Sequence, residues 1–139
     1  MKEANNIVKL KTHRFSIDWT YDEEVEINLD DYAFFECDFR LDSWHLIGHK
    51  YDDKTEKWST KELSIHWCFE RDIAEFIYQA NKYASEKNMF HKVCKVSRFN
   101  NLHYSSGFYK SLQNIFDIVK RMEEADTPTN QRKKDENNG

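Results

Sequence analysis

The chain has 139 residues, the usual size of one domain with one core. Its formal net charge is −4 at pH 7, so no overall basic character marks it as a nucleic-acid binder. We expect no membrane contact, because no run of about 18 apolar residues occurs. The N-terminus lacks the apolar stretch of a secretory signal, and three scattered cysteines without a CxxC motif favour a reduced, cytoplasmic protein.

The first half of the chain alternates between apolar and other residues, which is typical of β-strands. Residues 33–41 are the clearest case, with Phe35, Cys37 and Phe39 on one side. Residues 44–67 indicate a hairpin whose polar tip is DDKTEK. The pattern predicts an antiparallel meander of about five strands.

The second half changes to a helical period. A first helix is predicted around Ile73–Ala84, with Asp72 as its N-cap and its end near residues 87–88. A second helix is predicted to begin near Ser105 or Ser106. Residues 90–96 could add a short strand between the two helices. The expected fold is therefore α+β, with both helices packed on one face of the sheet.

Hydrophobic patterning stops after Ala125. The sequence predicts one domain over residues 1–125 and a disordered polar tail over residues 126–139.

Four ligand-type residues lie close together in sequence: His45, His49, His66 and Cys68. In a hairpin that pairs Ile47 with Leu63, the two histidines of the first arm and the His–Cys pair of the second face opposite sides of the sheet. Since metal ligands must converge on one point, we expect no metal site.

No signature of catalysis or of a cofactor site stands out. Glycine is rare, which argues against phosphate loops and dinucleotide folds, and no GxSxG motif frames a serine nucleophile. Glu36 and Asp38 share a strand face with Arg40. We interpret the two carboxylates as part of a solvated charged face rather than as a catalytic acid–base pair. We expect a protein without catalytic residues and without a cofactor.

Charge is strongly segregated along the chain. Residues 18–56 carry 13 acidic and three basic side chains, whereas residues 82–121 carry eight basic and two acidic ones. The basic part also contains aromatic residues and leads into a helix N-terminus, features that suit phosphates and bases. The hypothesis is a binding or regulatory protein that contacts RNA or DNA near residues 90–110. Its candidate residues are Lys92, Lys95, Arg98, Phe99, His103, Tyr104, Ser105, Ser106 and Lys110.

Two other interpretations of the charge pattern stay open. The acidic half could pack against the basic half within one molecule, or both could simply be solvated. Alternatively, an inhibitor or immunity-type protein could block a basic partner with an acidic aromatic strand face. The residues of that face would be Tyr32, Phe34, Glu36 and Asp38.

Overall fold

The computed structural model describes residues 6–15, 17, 20–40, 43–98 and 106–126, and it has the expected α+β class. The described residues form six strands and two α-helices, besides a short 3-10 helix at Leu29–Asp31. They are β1 (Ile7–Phe15), β2 (Thr20–Asn28), β3 (Phe34–Arg40), β4 (Ser43–Asp52), β5 (Lys57–Glu62), α1 (Glu70–Glu86), β6 (Val93–Arg98) and α2 (Ser106–Ala125).

The strands form two sheets, where the sequence predicted one meander. β1 and β2 make an antiparallel hairpin, and the larger sheet has the order β5-β4-β3-β6. β6 lies parallel to β3, with Cys37 opposite Val96. A parallel neighbour needs a long crossover, and the chain from β3 to β6 supplies it through β4, β5 and α1. The pairing sets the basic β6 directly beside the acidic β3.

Residues 63–69 connect the two sheets. Trp67 forms a bridge with His13 of β1, and Cys68 forms a bridge with Trp44 at the start of β4. The backbone N–H of His13 donates to the Trp67 carbonyl at 2.8 Å. This segment therefore holds the end of β1 against the end of the larger sheet at which β4 begins.

One core lies between the helices and the sheets. Phe35 of β3 meets Phe76 of α1 edge to face, with ring centroids 5.0 Å apart. Phe39 and Trp44 pack on Phe108 of α2. Burying a large apolar side chain of this kind contributes about 1.5–3 kcal/mol, and these contacts hold both helices on one face of the larger sheet, as predicted.

The ends of α1 differ in detail from the prediction. Phe69 is the N-cap residue, and Asp72 lies three positions inside the helix, where its carboxylate accepts the Phe69 backbone N–H at 3.0 Å. The prediction that Asp72 caps the helix was wrong, because the helix begins earlier, at Glu70. At the other end Asn88 has a φ of 55°, a left-handed conformation that asparagine tolerates and that stops a helix.

α2 begins at Ser106, within the predicted range, and ends at Ala125. Of the predicted tail, residues 126–139, the structure describes Asp126, and the rest lies outside the described residues. Neither described helix combines the length and the apolar character that crossing a bilayer requires.

Candidate binding surface

The larger sheet has two faces of different character. Phe35, Cys37 and Phe39 of β3 point into the core with the helices. Because neighbouring strand residues alternate, the residues between them lie on the opposite face, which neither described helix covers. We call this the open face. It consists of Phe34, Glu36, Asp38, Arg40, Ser43, His45, Ile47, His49, Tyr51, Trp58, Thr60, Glu62, Lys95 and Ser97.

Glu36 is the centre of a polar network on the open face. Its Oε1 accepts from His49 Nε2 at 2.9 Å, and its Oε2 accepts from the Ser97 hydroxyl at 2.5 Å. Lys95 Nζ lies 3.8 Å from the same Oε2. Burial, the largest single influence, pushes the pKa of Glu36 up, but the hydrogen bonds from Ser97 and His49 and the nearby Lys95 charge together hold it below its usual value. Glu36 is therefore an ionised, well-paired carboxylate.

Asp38 begins a second chain of polar contacts. Its Oδ2 lies 3.1 Å from Arg40 Nε, and Arg40 Nη2 donates to Glu62 Oε1 at 2.9 Å. The His45 ring meets the same Glu62 oxygen at 2.6 Å. Asp38 and Glu36 are buried by these partners. The prediction of a solvated carboxylate face was wrong, because Arg40 of the same strand, His49 of β4 and Ser97 of β6 contact the two carboxylates.

Aromatic rings occupy the part of the open face toward the β4–β5 tip. Phe34 stacks on His49 with centroids 4.3 Å apart and meets Trp58 edge-on at 5.7 Å. Trp58 also contacts Tyr51 at 5.2 Å. Trp58 and Tyr51 are both exposed, so this end of the sheet offers flat ring surfaces to a partner.

A groove lies at the other end of the open face, where β3 ends and β4 begins. It has a volume of about 390 Å³ and is lined by two guanidinium groups, Arg14 and Arg40, and by the rings of Phe15 and Trp67. The imidazoles of His45 and His66 also line it, and Glu62 is the one carboxylate among its lining residues. The groove therefore combines cationic groups with aromatic surface.

The rings beside the groove belong to an exposed aromatic cluster. Phe15 lies 6.3 Å from Trp67 and 6.0 Å from Phe69, and Phe69 stacks on His13 at 4.4 Å. Ile65, which also lines the groove, is exposed as well. Clustered exposed apolar side chains are typical of binding surfaces.

The candidate residues of the predicted basic segment lie in different environments in the structure. Lys92 is buried and its ammonium group donates to the Tyr32 carbonyl at 3.0 Å, so its inclusion in an exposed anion site was wrong. Lys95 lies on the open face, and Lys110 is exposed on α2. Arg98 ends β6 opposite Phe39, and Ser106 is the first residue of α2. The remaining candidates, Phe99, His103, Tyr104 and Ser105, lie outside the described residues.

Of the four residues predicted for the alternative protein-binding face, three lie on one face and the fourth does not. Phe34, Glu36 and Asp38 share the open face, as predicted for a strand. Tyr32 does not, because it precedes β3 and its buried ring packs against Phe35 at 5.3 Å. Tyr32 is thus a core residue.

The register of the β4–β5 hairpin differs by one residue from the predicted one. Ile47 pairs with Glu62, where Leu63 was expected. His45 and His49 lie on the open face with the carboxylates described above. Cys68 is buried, and burial, with a smaller contribution from Asp72, raises the pKa of its thiol to about 12.

His66 lies 3.4 Å from a carboxylate oxygen of Glu23, on β2. Within the described ranges, no three histidine, cysteine or acidic side chains are grouped so that they could hold a metal ion.

Sequence reasoning missed the groove residues Arg14, Phe15 and Trp67. None of the three was a candidate, because alternation shows which residues share a side of a strand but not whether a partner covers that side. The missing information was the pairing of Trp67 with His13, 54 positions apart along the chain.

Comparisons with other proteins offer no relative: no family model, no curated protein and no solved structure matches this chain.

Proposed function

We propose that this chain is a non-enzymatic binding protein that contacts single-stranded RNA or DNA with the open face and with the basic segment that follows it. The observation that carries the proposal is that one sheet face, which neither described helix covers, has the exposed rings of Tyr51 and Trp58 at one end and a groove with two arginines and two further rings at the other, with Lys95 between them. Stacking rings and cations that track a phosphate backbone are what single-stranded nucleic acid requires.

The basic segment reaches the end of the sheet at which the groove lies. β6 finishes beside the end of β3, with Arg98 opposite Phe39, and Arg40 is the next residue of β3. Phe108, near the start of α2, packs on Phe39 at this same end of the sheet. Lys110 follows two residues later and is exposed. The groove lies on the open face and α2 packs on the other face, so an extended ligand that passes around this end of the sheet can contact both.

The internal ion pairs favour a phosphate over a basic partner. Glu36 and Asp38 already accept from Ser97 and face Lys95 and Arg40. A buried, paired carboxylate gains little from a further cation. The acidic side chains of β3 therefore contribute less to an external contact than their number suggests.

Fluorescence anisotropy with labelled single-stranded oligonucleotides, over a series of salt concentrations, tests the proposal. The double variant Arg98→Ala/Lys110→Ala is expected to bind more weakly and to lower the slope of log affinity against log salt by about 1.4, since each phosphate contact on a single strand adds about 0.7. The matched control is Lys9→Ala/Lys54→Ala, which removes the same charge from β1 and from the β4–β5 tip. Wild-type protein that binds no RNA or DNA in a salt-dependent way would refute the proposal.

A second candidate is a protein that blocks a basic partner, since Phe34 lies on the open face beside exposed rings. A stoichiometric complex with a basic protein that is weakened by Phe34→Ala, together with no nucleic-acid binding, would favour this candidate.

A further inference from the structure

The groove between β1, the end of β3 and residues 64–67 has the size and chemistry of a small-ligand site. Its volume of about 390 Å³ lies within the range of about 300–1,000 Å³ that is usual for small-molecule pockets. It is open on one side, so a ligand can enter without a movement of the fold. The ligand class can be deduced from the charges, the rings and one hydroxyl group.

The charges of the groove favour an anion. Arg14 and Arg40 each carry a permanent positive charge, and Glu62 is the one carboxylate in the lining. Glu62 Oε1 is already engaged by both Arg40 and His45. Two guanidinium groups and one carboxylate give the lining a net charge of one positive unit, in a molecule whose net charge is −4, and Asp38, outside the lining, also pairs with Arg40.

The rings of the groove favour a planar group beside that anion. The side chains of Phe15 and Trp67 are 50% and 47% exposed, and their centroids lie 6.3 Å apart. Both rings present surface on which a base can stack, and stacking tolerates any base because every base has a π-face.

A buried hydroxyl group supplies an independent indication of a ligand. Ser43 lines the groove and is 6% exposed, yet its Oγ has no hydrogen-bond partner among the described residues. Buried polar atoms nearly always have a partner in folded proteins. Because Ser43 and Arg40 face each other across the β3–β4 turn, one ligand oxygen can meet both the hydroxyl and the guanidinium region.

We infer that the groove binds one nucleoside phosphate unit, with the base on Phe15 and Trp67 and the phosphate toward Arg14, Arg40 and Ser43. This inference rests on the proposed function, since the unit can be the phosphorylated end of a bound strand. A free mononucleotide has the same chemistry. The two sources are separated by the experiment.

The first experiment is isothermal titration calorimetry of the full chain with nucleoside monophosphates, with the matching nucleosides and with inorganic phosphate. We expect the monophosphates to bind about tenfold or more tightly than either fragment, because only they engage both the rings and the cations. If monophosphates and inorganic phosphate bind equally tightly, the inference that the base stacks on Phe15 and Trp67 is wrong.

Three variants test the residues. Phe15→Ala and Ser43→Ala are expected to weaken monophosphate binding by about three- to tenfold. Phe116→Ala is the control, because Phe116 is 48% exposed on α2 and lies outside the groove lining. Ser43→Ala removes a hydroxyl group without a partner and should leave the melting temperature unchanged, so a loss of binding there cannot be attributed to unfolding.

Oligonucleotides with and without a terminal phosphate separate the two sources. Tighter binding of the phosphorylated strand, lost in Ser43→Ala, supports the strand end; equal binding of both strands, with monophosphates still bound, supports a free mononucleotide. If strands bind but monophosphates do not, the groove inference fails and the proposed function stands. If neither binds, both fail.

Discussion

His13 joins three segments through one imidazole ring. Its Nδ1 lies 2.7 Å from a carboxylate oxygen of Asp22 on β2, and its Nε2 lies 2.8 Å from Asp72 in α1. The ring also stacks on Phe69. Burial, the largest single influence, lowers the pKa of His13, but the two hydrogen-bonded aspartates together raise it above its usual value of 6.5.

The raised pKa of His13 predicts a pH-dependent stability. A raised pKa means that the protonated ring stabilises the fold fully below the unfolded-state value and that this contribution is lost as the pH rises through the folded-state value. The melting temperature of His13→Asn should therefore fall further below that of the wild type at about pH 5.5 than at about pH 8.5. Thermal unfolding followed by circular dichroism at both pH values measures this. If His13→Asn lowers the melting temperature by the same amount at the two pH values, the prediction is contradicted.

Gly48 of β4 lies directly against the ring of Tyr32. A Cβ atom added there would overlap Tyr32 Cδ1, and the Tyr32 ring contacts Phe35 and also Lys50 Nζ, which lies 5.0 Å from its centroid. The ring has little room to move away, so position 48 requires glycine for lack of space.

Gly48→Ala is accordingly expected to destabilise the fold by about 1–3 kcal/mol, the usual cost of overpacking. Gly107→Ala is the matched control. A Cβ atom there meets nothing within 4 Å, and alanine favours a helix by about 0.8–1 kcal/mol over glycine. Urea denaturation measures the free energy of unfolding of both variants. Similar values for the two would show that the Tyr32 ring moves aside to make room for the added methyl group.

At the scale of elements, α2 is attached to the sheet by one buried polar contact as well as by apolar packing. Trp44 Nε1 of β4 donates to Ser111 Oγ of α2 at 2.6 Å, and both residues are buried. An indole N–H that is buried without an acceptor is costly, so this contact selects the rotation of the helix about its axis.

Ser111→Ala should therefore cost about 1–3 kcal/mol, because it leaves the Trp44 N–H unsatisfied. Asn114→Ala on the exposed side of the same helix should be neutral or slightly stabilising, since alanine is the better helix former. The midpoint of chemical unfolding measures both. If Ser111→Ala were as stable as Asn114→Ala, the contact would not hold the helix.

On the scale of the whole molecule, charge segregation along the chain becomes pairing in space. Glu36 of the acidic half faces Lys95 of the basic half across the parallel β3–β6 pair. The structure therefore realises in part the packing of one half against the other that the sequence left open. Arg14 and Arg40, which line the groove at the end of the sheet, contribute positive charge to the proposed surface.

Deletion of residues 126–139 should leave the fold intact. The described contacts that it removes are the hydrogen bond from the Asp126 N–H to the Met122 carbonyl, at the end of α2, and the exposed ion pair of Lys82 and Asp126, 3.0 Å apart; such pairs contribute about 0–1 kcal/mol. The melting temperature of a chain ending at Ala125 should stay within a few degrees of the wild type. A larger fall in a calorimetric scan would mean that the deleted residues pack on the domain.

The sequence alone determined the local features of this protein: the strand and helix periods, the start of α2, the end of α1 just before Lys87 and Asn88, and the shared side of Phe34, Glu36 and Asp38. Each depends on neighbours a few positions apart, which interact within one element. Only the tertiary structure decided the parallel place of β6, the burial of Lys92 and Tyr32, and the groove beside Trp67. These depend on which distant segments pair, and alternation is equally compatible with several pairings, so the choice is made by how the whole core packs.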